Sequence, residues 1–74
     1  MPLELEGITM VSVNGKMHDT RAGQTLLELL HELGYRLEVI AVELNGQVLT
    51  RGSYGDTVLH EGDSLEVVSF VGGG

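Results

Sequence analysis

Thr25–Gly34, "TLLELLHELG", is the stretch that decides how the rest of the chain is read. Leu26, Leu29, Leu30 and Leu33 recur at i, i+3, i+4 and i+7, which places four leucines on one face of a helix. Thr25 followed three residues later by Glu28 is a capping box, in which two side chains satisfy N–H groups that the first turn leaves open. Gly34 stands where a left-handed C′ residue ends a helix. The spacing predicts one helix of about three turns. His31 and Glu32 fall on its solvated side, and no chemistry is assigned to them.

The flanking segments carry a different signal. "ITMVSV" (residues 8–13) is β-branched and apolar and runs into Asn14-Gly15, a dipeptide suited to a type I′ hairpin because both central residues need positive φ. "KMHDT", Lys16 to Thr20, is the return strand. After a "YRLE" link, "VIAVEL" (Val39 to Leu44) reads as a buried strand and meets a second Asn-Gly at Asn45-Gly46. "QVLT" is then a short returning strand or a turn. Arg51 to Asp63 is loop-like, with glycines at 52, 55 and 62; Tyr54 is its one large anchor, and Val58-Leu59 tucks inward. The Glu61-Gly62-Asp63 turn leads into the last strand, "SLEVVSFV", Ser64 to Val71. One helix against a mostly antiparallel sheet is a two-layer α+β arrangement. A last strand lying centrally must pair parallel with the first. That order is the β-grasp, or ubiquitin-like, fold: a mixed sheet of four to five strands with the main helix packed on one face.

Composition narrows what such a domain does. Seventy-four residues make one domain, 1–74, near the lower size limit for a single unstapled core. There is no cysteine, which removes disulfides and thiolate metal sites, and the three histidines (His18, His31, His60) form no spaced ligand pair. No metal site is expected. No apolar run approaches the ~20 residues that cross a bilayer, and "MPLELEG" carries acids where a secretion signal carries bases. The expectation is a cytoplasmic protein with no membrane contact. Eleven acids against four Lys and Arg give a formal net charge of −7, which excludes the clustered cations of a nucleic-acid binder. The charge serves solubility, or it speeds encounter with a basic partner.

Catalytic constellations are missing. No glycine-rich phosphate loop joins strand to helix, the Glu61/Asp63 pair flanks a turn glycine, and no histidine is placed by sequence to activate Ser53 or Ser64. The end of the chain, "SFVGGG", is the remaining candidate. Three glycines after a strong strand contribute little to stability. Extended at ~3.3–3.6 Å per residue they reach ~10 Å beyond the strand, and without Cβ atoms they fit a narrow channel. A frayed terminus or a linker remnant is the structural alternative.

On these motifs the chain resembles the ThiS family, the sulfur carriers of thiamin thiazole biosynthesis. The resemblance covers nearly the whole chain after the first seven residues: "VSVNGK", "GQTLLELL", "VIAVELNGQVLTRGSY" and "GDSLEVVSFVGGG". Asn45-Gly46, Arg51 and Tyr54, with Gly62-Asp63 and the terminal "VGGG", are its more specific part. The resemblance implies that Gly74 is adenylated by a ThiF/MoeB-type activating enzyme using ATP and magnesium, with no cofactor bound to the carrier itself. A cysteine desulfurase persulfide then supplies sulfur, a thiocarboxylate forms on Gly74, and thiazole synthase (ThiG) accepts the sulfur. The carrier is thus a co-substrate and not an enzyme, and a monomer when alone. Gly72 and Gly73 thread the tail. Phe70, Val71 and Val68 are candidates for the apolar contact that seats it, or they fill the sheet.

Residues 1–7 extend beyond the usual family start, as an added strand segment, a disordered arm or an artefact, and nothing carries over to them. The small subunit of molybdopterin synthase (MoaD) shares fold, tail and adenylation, but is usually longer and tends to place a proline before Gly-Gly, whereas the only proline here is Pro2. A pterin or another thiolation pathway is therefore the alternative acceptor. A ubiquitin-like modifier that forms isopeptide bonds, and a passive interaction module, are the alternatives from other classes.

Overall fold

Two Asn-Gly turns and one helix partition the chain. In a computed structural model that describes residues 7–70, the strands are β1 (Ile8–Val13), β2 (Lys16–Arg21), β3 (Ile40–Leu44), β4 (Gln47–Leu49) and β5 (Ser64–Ser69), and the helix is α1 (Leu26–Glu32). The readings made above for residues 1–6, Val71 and Gly72–Gly74 lie outside the described residues. Asn14 and Asn45 adopt φ of 53° and 52°, and each is followed by a glycine near 85°, so both hairpins turn in two residues. The sheet order is β2-β1-β5-β3-β4. β5 is parallel to β1 and antiparallel to β3, and the other pairs are antiparallel. This is the mixed β-grasp sheet expected from the sequence, and "QVLT" supplies a strand, Gln47–Leu49, at its edge.

The helix begins as read and ends sooner. Thr25 Oγ1 accepts from Glu28 N–H (3.2 Å) while Glu28 Oε1 accepts from Thr25 N–H (3.1 Å). At the other end Gly34 takes φ of +85°, its N–H donates to His31 O, and Tyr35 N–H donates to Leu30 O. That pair of bonds is a Schellman closure, which stops the helix at two turns where three were expected. Leu33 becomes the C-cap and is 36% exposed, so only Leu26, Leu29 and Leu30 of the four-leucine seam are buried. They rest on the inner sheet face, where Val11, Val13, Ile40, Val42, Leu65 and Val67 alternate inward, and Tyr54 and Leu59 close the side. Leu59 is fully inside but Val58 is exposed; its strand-like bridge to Thr25 points it out. The loop-like Arg51–Asp63 stretch holds a six-residue 3-10 turn, Arg51–Asp56, and the "YRLE" link leads into another, Leu37–Val39.

β5 is held by side chains as well as by strands. Its parallel ladder with β1 is short: Ser12 pairs with Ser64 and Val13 with Leu65. Beyond it, the Asn14 side chain substitutes for a peptide, since Oδ1 accepts from Val67 N–H (2.7 Å) and Nδ2 donates to Val67 O (3.1 Å). Asn45 does the same at the start of β5, accepting from Ser64 N–H (2.9 Å) and donating to Asp63 Oδ1 (3.0 Å). Replacing Asn14 by glycine keeps the positive φ and removes both bonds to a part-buried backbone. Urea unfolding should show a loss of about 1–3 kcal/mol, and a loss under about 0.5 kcal/mol would reduce Asn14 to a turn residue alone.

Candidate functional site

The described residues enclose no pocket, and no group of three His, Cys, Asp or Glu among them could hold a metal. The acids singled out in the sequence are spent on structure. Glu61 Oε1 accepts from Met10 N–H (2.9 Å), and Asp63 Oδ2 accepts from His60 N–H (2.8 Å). The end of the central strand is where the residues named from the sequence as tail-seating contacts lie.

β5 alternates along its length. Leu65 and Val67 point into the core, while Glu66 and Val68 face the opposite side of the sheet and are exposed among the described residues. Val68 is 59% exposed and so does not fill the core, and Ala41 lies directly across from it on β3. Phe70 follows, 61% exposed, yet its backbone is anchored: Phe70 N–H donates to Val39 O at 2.7 Å. Val48, on the edge strand, exposes an apolar side chain on the same face through its pairing with Glu43. Two of the three residues named from the sequence as tail-seating contacts, Val68 and Phe70, are thus brought together, exposed, at the point where β5 leaves the sheet. Val71, like Gly72, Gly73 and Gly74, lies outside the described residues. An exposed aromatic and an exposed β-branched side chain thus stand two residues apart at this end of β5.

The sequence did not disclose what fixes this end of β5. Asn14, 53 residues away from Val67, was legible only as a turn residue, because positive φ explains asparagine without reference to a partner. Val48 carried a faint signal, since it directly follows the Asn-Gly turn of an edge strand, where an apolar side chain can face either way.

The sequence and the fold have counterparts among known proteins. A family model described as the ThiS family matches residues 11–74. A thiazole synthase of Magnetococcus marinus is 50% identical over 64 residues, covering 86% of this chain and 20% of that protein. This chain therefore spans about a fifth of that relative's length. The sulfur carrier protein ThiS of Thermus thermophilus is 38% identical over 65 residues, 88% of this chain and 100% of the relative. The crystal structure of a thiamine biosynthesis protein (ThiS) from Geobacter metallireducens superposes with a TM-score of 0.75 at 36% identity, covering 89% of this chain and 100% of that one.

Burial separates packing from contact along β5. Phe70→Ala should change the unfolding free energy by less than about 0.5 kcal/mol, whereas Val67→Ala, on the buried side, should cost about 2 kcal/mol. Thermal or urea unfolding of the two variants checks this, and a Phe70 effect as large as that of Val67 would make Phe70 a core residue.

Proposed function

The chain belongs to the ThiS family, and on that premise we propose that it is a sulfur carrier of thiamin biosynthesis whose reagent is the Gly74 carboxylate. The observation that carries the reading is the placement of β5: the central strand, pinned on both sides, ends beside an exposed apolar pair, and the sequence runs from there to Gly72–Gly74. A relative that this chain covers along its full length is a sulfur carrier protein, which supports the same reading.

The chemistry follows from what a carboxylate lacks. Its own leaving group would be oxide, so it is inert to attack. An activating enzyme of the ThiF/MoeB type, using its ATP and magnesium, joins the Gly74 carboxylate to AMP and releases pyrophosphate. A persulfide drawn from a cysteine desulfurase attacks the mixed anhydride, and AMP leaves with one carboxylate oxygen. A thiol then reduces the acyl disulfide and frees the thiocarboxylate. The chain has no cysteine, so every sulfur in this sequence of steps comes from a partner. The carrier is consumed and regenerated as a co-substrate. Gly72 and Gly73 thread the enzyme channel because glycine adds no side chain to its width, and Val68 and Phe70, with Val71, seat the domain at the channel mouth.

Thiazole synthase (ThiG) is the proposed acceptor. The Magnetococcus relative bearing that name carries a stretch like this one within a single longer chain. Covalent linkage raises the effective concentration of two modules that must meet repeatedly, and so supports their partnership when separate.

Intact-mass analysis after incubation with the activating enzyme, ATP and a sulfur source should show one oxygen replaced by sulfur, located at Gly74 by fragmentation. An unchanged mass, or lysine conjugates alone, contradicts the carrier reading. Deleting Gly73-Gly74 should abolish the change while leaving Tm within about 1–2 °C of the parent.

A further inference from the structure

Arg51 opens the 3-10 turn that follows β4, and its backbone stands on a firm base. Tyr54, three residues on, is buried; Ser53 donates twice to Thr50 O, through N–H (3.0 Å) and Oγ (2.7 Å); and Thr57 Oγ1 donates to Ser53 O (2.7 Å). The guanidinium itself is exposed. Its hydrogen bond is from Nη1 to Leu37 O at 3.5 Å, a long contact that leaves most of its donors open. Leu37 begins the short turn that ends at Val39, the residue whose carbonyl holds Phe70 N–H. A 3-10 turn rises about 2 Å per residue, so the guanidinium stands on the order of 10 Å from the Phe70 backbone. Arg36, one residue before Leu37, is exposed as well.

Among the described residues three of the four Lys and Arg form no ion pair: Lys16, at the first hairpin, and Arg36 and Arg51, at this corner. Eleven acids are available to four Lys and Arg, yet the ion pairs among the described residues both belong to Arg21, with Glu28 (3.8 Å) and Glu32 (3.6 Å). Neither Arg36 nor Arg51 forms an ion pair among the described residues, although Glu38 and Asp56 lie in the same two turns. Two cations without carboxylate partners thus sit at the end of the sheet from which β5 departs, next to exposed Phe70.

We propose that Arg51, supported by Arg36, docks against a carboxylate on the rim of the activating enzyme, at the mouth of the channel that receives the tail; this rests on the sulfur-carrier reading above. A planar guanidinium matches a carboxylate bidentately. A phosphate of the nucleotide is the poorer fit, because four extended residues beyond Phe70 span about 14 Å and carry the reacting carbon away from this corner. The net charge of −7 draws in a basic surface from any direction. A local charge of opposite sign at the exit admits only the orientation that sets it against an acid, and so aligns the tail with the channel.

ATP–pyrophosphate exchange with the cognate activating enzyme tests this, using wild type, Arg51→Glu, Arg51→Ala, Arg51→Lys and Arg36→Glu. Arg51→Glu should raise KM about tenfold with kcat unchanged, Arg51→Ala less, and Arg51→Lys least, with the differences shrinking at high salt. Unfolding curves of the variants should overlay that of the wild type, and if the charge reversal unfolds the chain, Arg51→Lys and Arg36→Glu carry the same comparison. A KM within about twofold of wild type for the charge reversal, or a lower kcat at unchanged KM, overturns the docking role. Absence of exchange with wild type overturns the sulfur-carrier reading itself.

Discussion

The Asn14 amide, bonded through both its atoms to Val67, is the contact on which the arrangement depends. Closing β5 against β1 joins residues more than fifty positions apart, the kind of pairing whose loop-closure entropy must be met before any ladder forms. The ladder available is only two residue pairs long. By adding a donor and an acceptor past the end of β1, Asn14 extends the pairing to Val67 without lengthening the strand, because β1 must turn there into its hairpin. Asn45 fixes the opposite end of β5 to the second hairpin, and Asp63 is drawn into the same contact. One residue type at two turns therefore does two things: it accepts positive φ, and it fastens the central strand.

A strand held this way is a rigid base for whatever follows it. The core lies wholly on the helix side, where Leu26, Leu29 and Leu30 meet the inward residues of β1, β3 and β5. Among the described residues the other sheet face exposes Ile8 and Met17 on the β1–β2 side and Val48 and Val68 on the β4–β5 side, the last beside the exit of β5. Order in the strand and the absence of a Cβ in glycine are complementary. Fixing Phe70 restricts where a tail begins, while glycine restricts nothing about how it runs. A carrier that hands the same group to successive enzymes needs both properties, and a concave active site would add nothing to them.

Much of this was legible in the sequence, and what escaped has identifiable causes. The capping box, the glycine stop and the first hairpin are local, so "TxxE", Gly34 and Asn14-Gly15 revealed them directly, while after Asn45-Gly46 the sequence left "QVLT" as a short strand or a turn. Leu33 misled because its heptad position belongs to a longer helix than the Schellman closure allows; the glycine that was read as a cap also removes the last leucine from the seam. Val58 misled for the opposite reason, since adjacent apolar residues in an extended segment must face opposite ways and only Leu59 went inward. The roles of Asn14 and Asn45 were hidden because side-chain partners 53 residues away, and 18 and 19 residues away, leave no trace in spacing. The resemblance to the ThiS family rested on Asn45-Gly46, Arg51, Tyr54, Gly62-Asp63 and the terminal "VGGG" together, and the structure joins two of these, since the Asn45 and Asp63 side chains are hydrogen-bonded.

In the proposed sulfur carrier the fold positions a single reagent, the Gly74 carboxylate, and contributes no other reacting group. Extending the chain by one alanine after Gly74 tests it most directly, because the fold and both thread glycines stay in place while the reacting carboxylate moves onto a residue with a Cβ and beyond the usual reach. In ATP–pyrophosphate exchange with the activating enzyme, the account predicts loss of exchange by the extended chain with unfolding curves that overlay the parent's. Exchange at the parental rate would place the reacting group elsewhere and contradict the account.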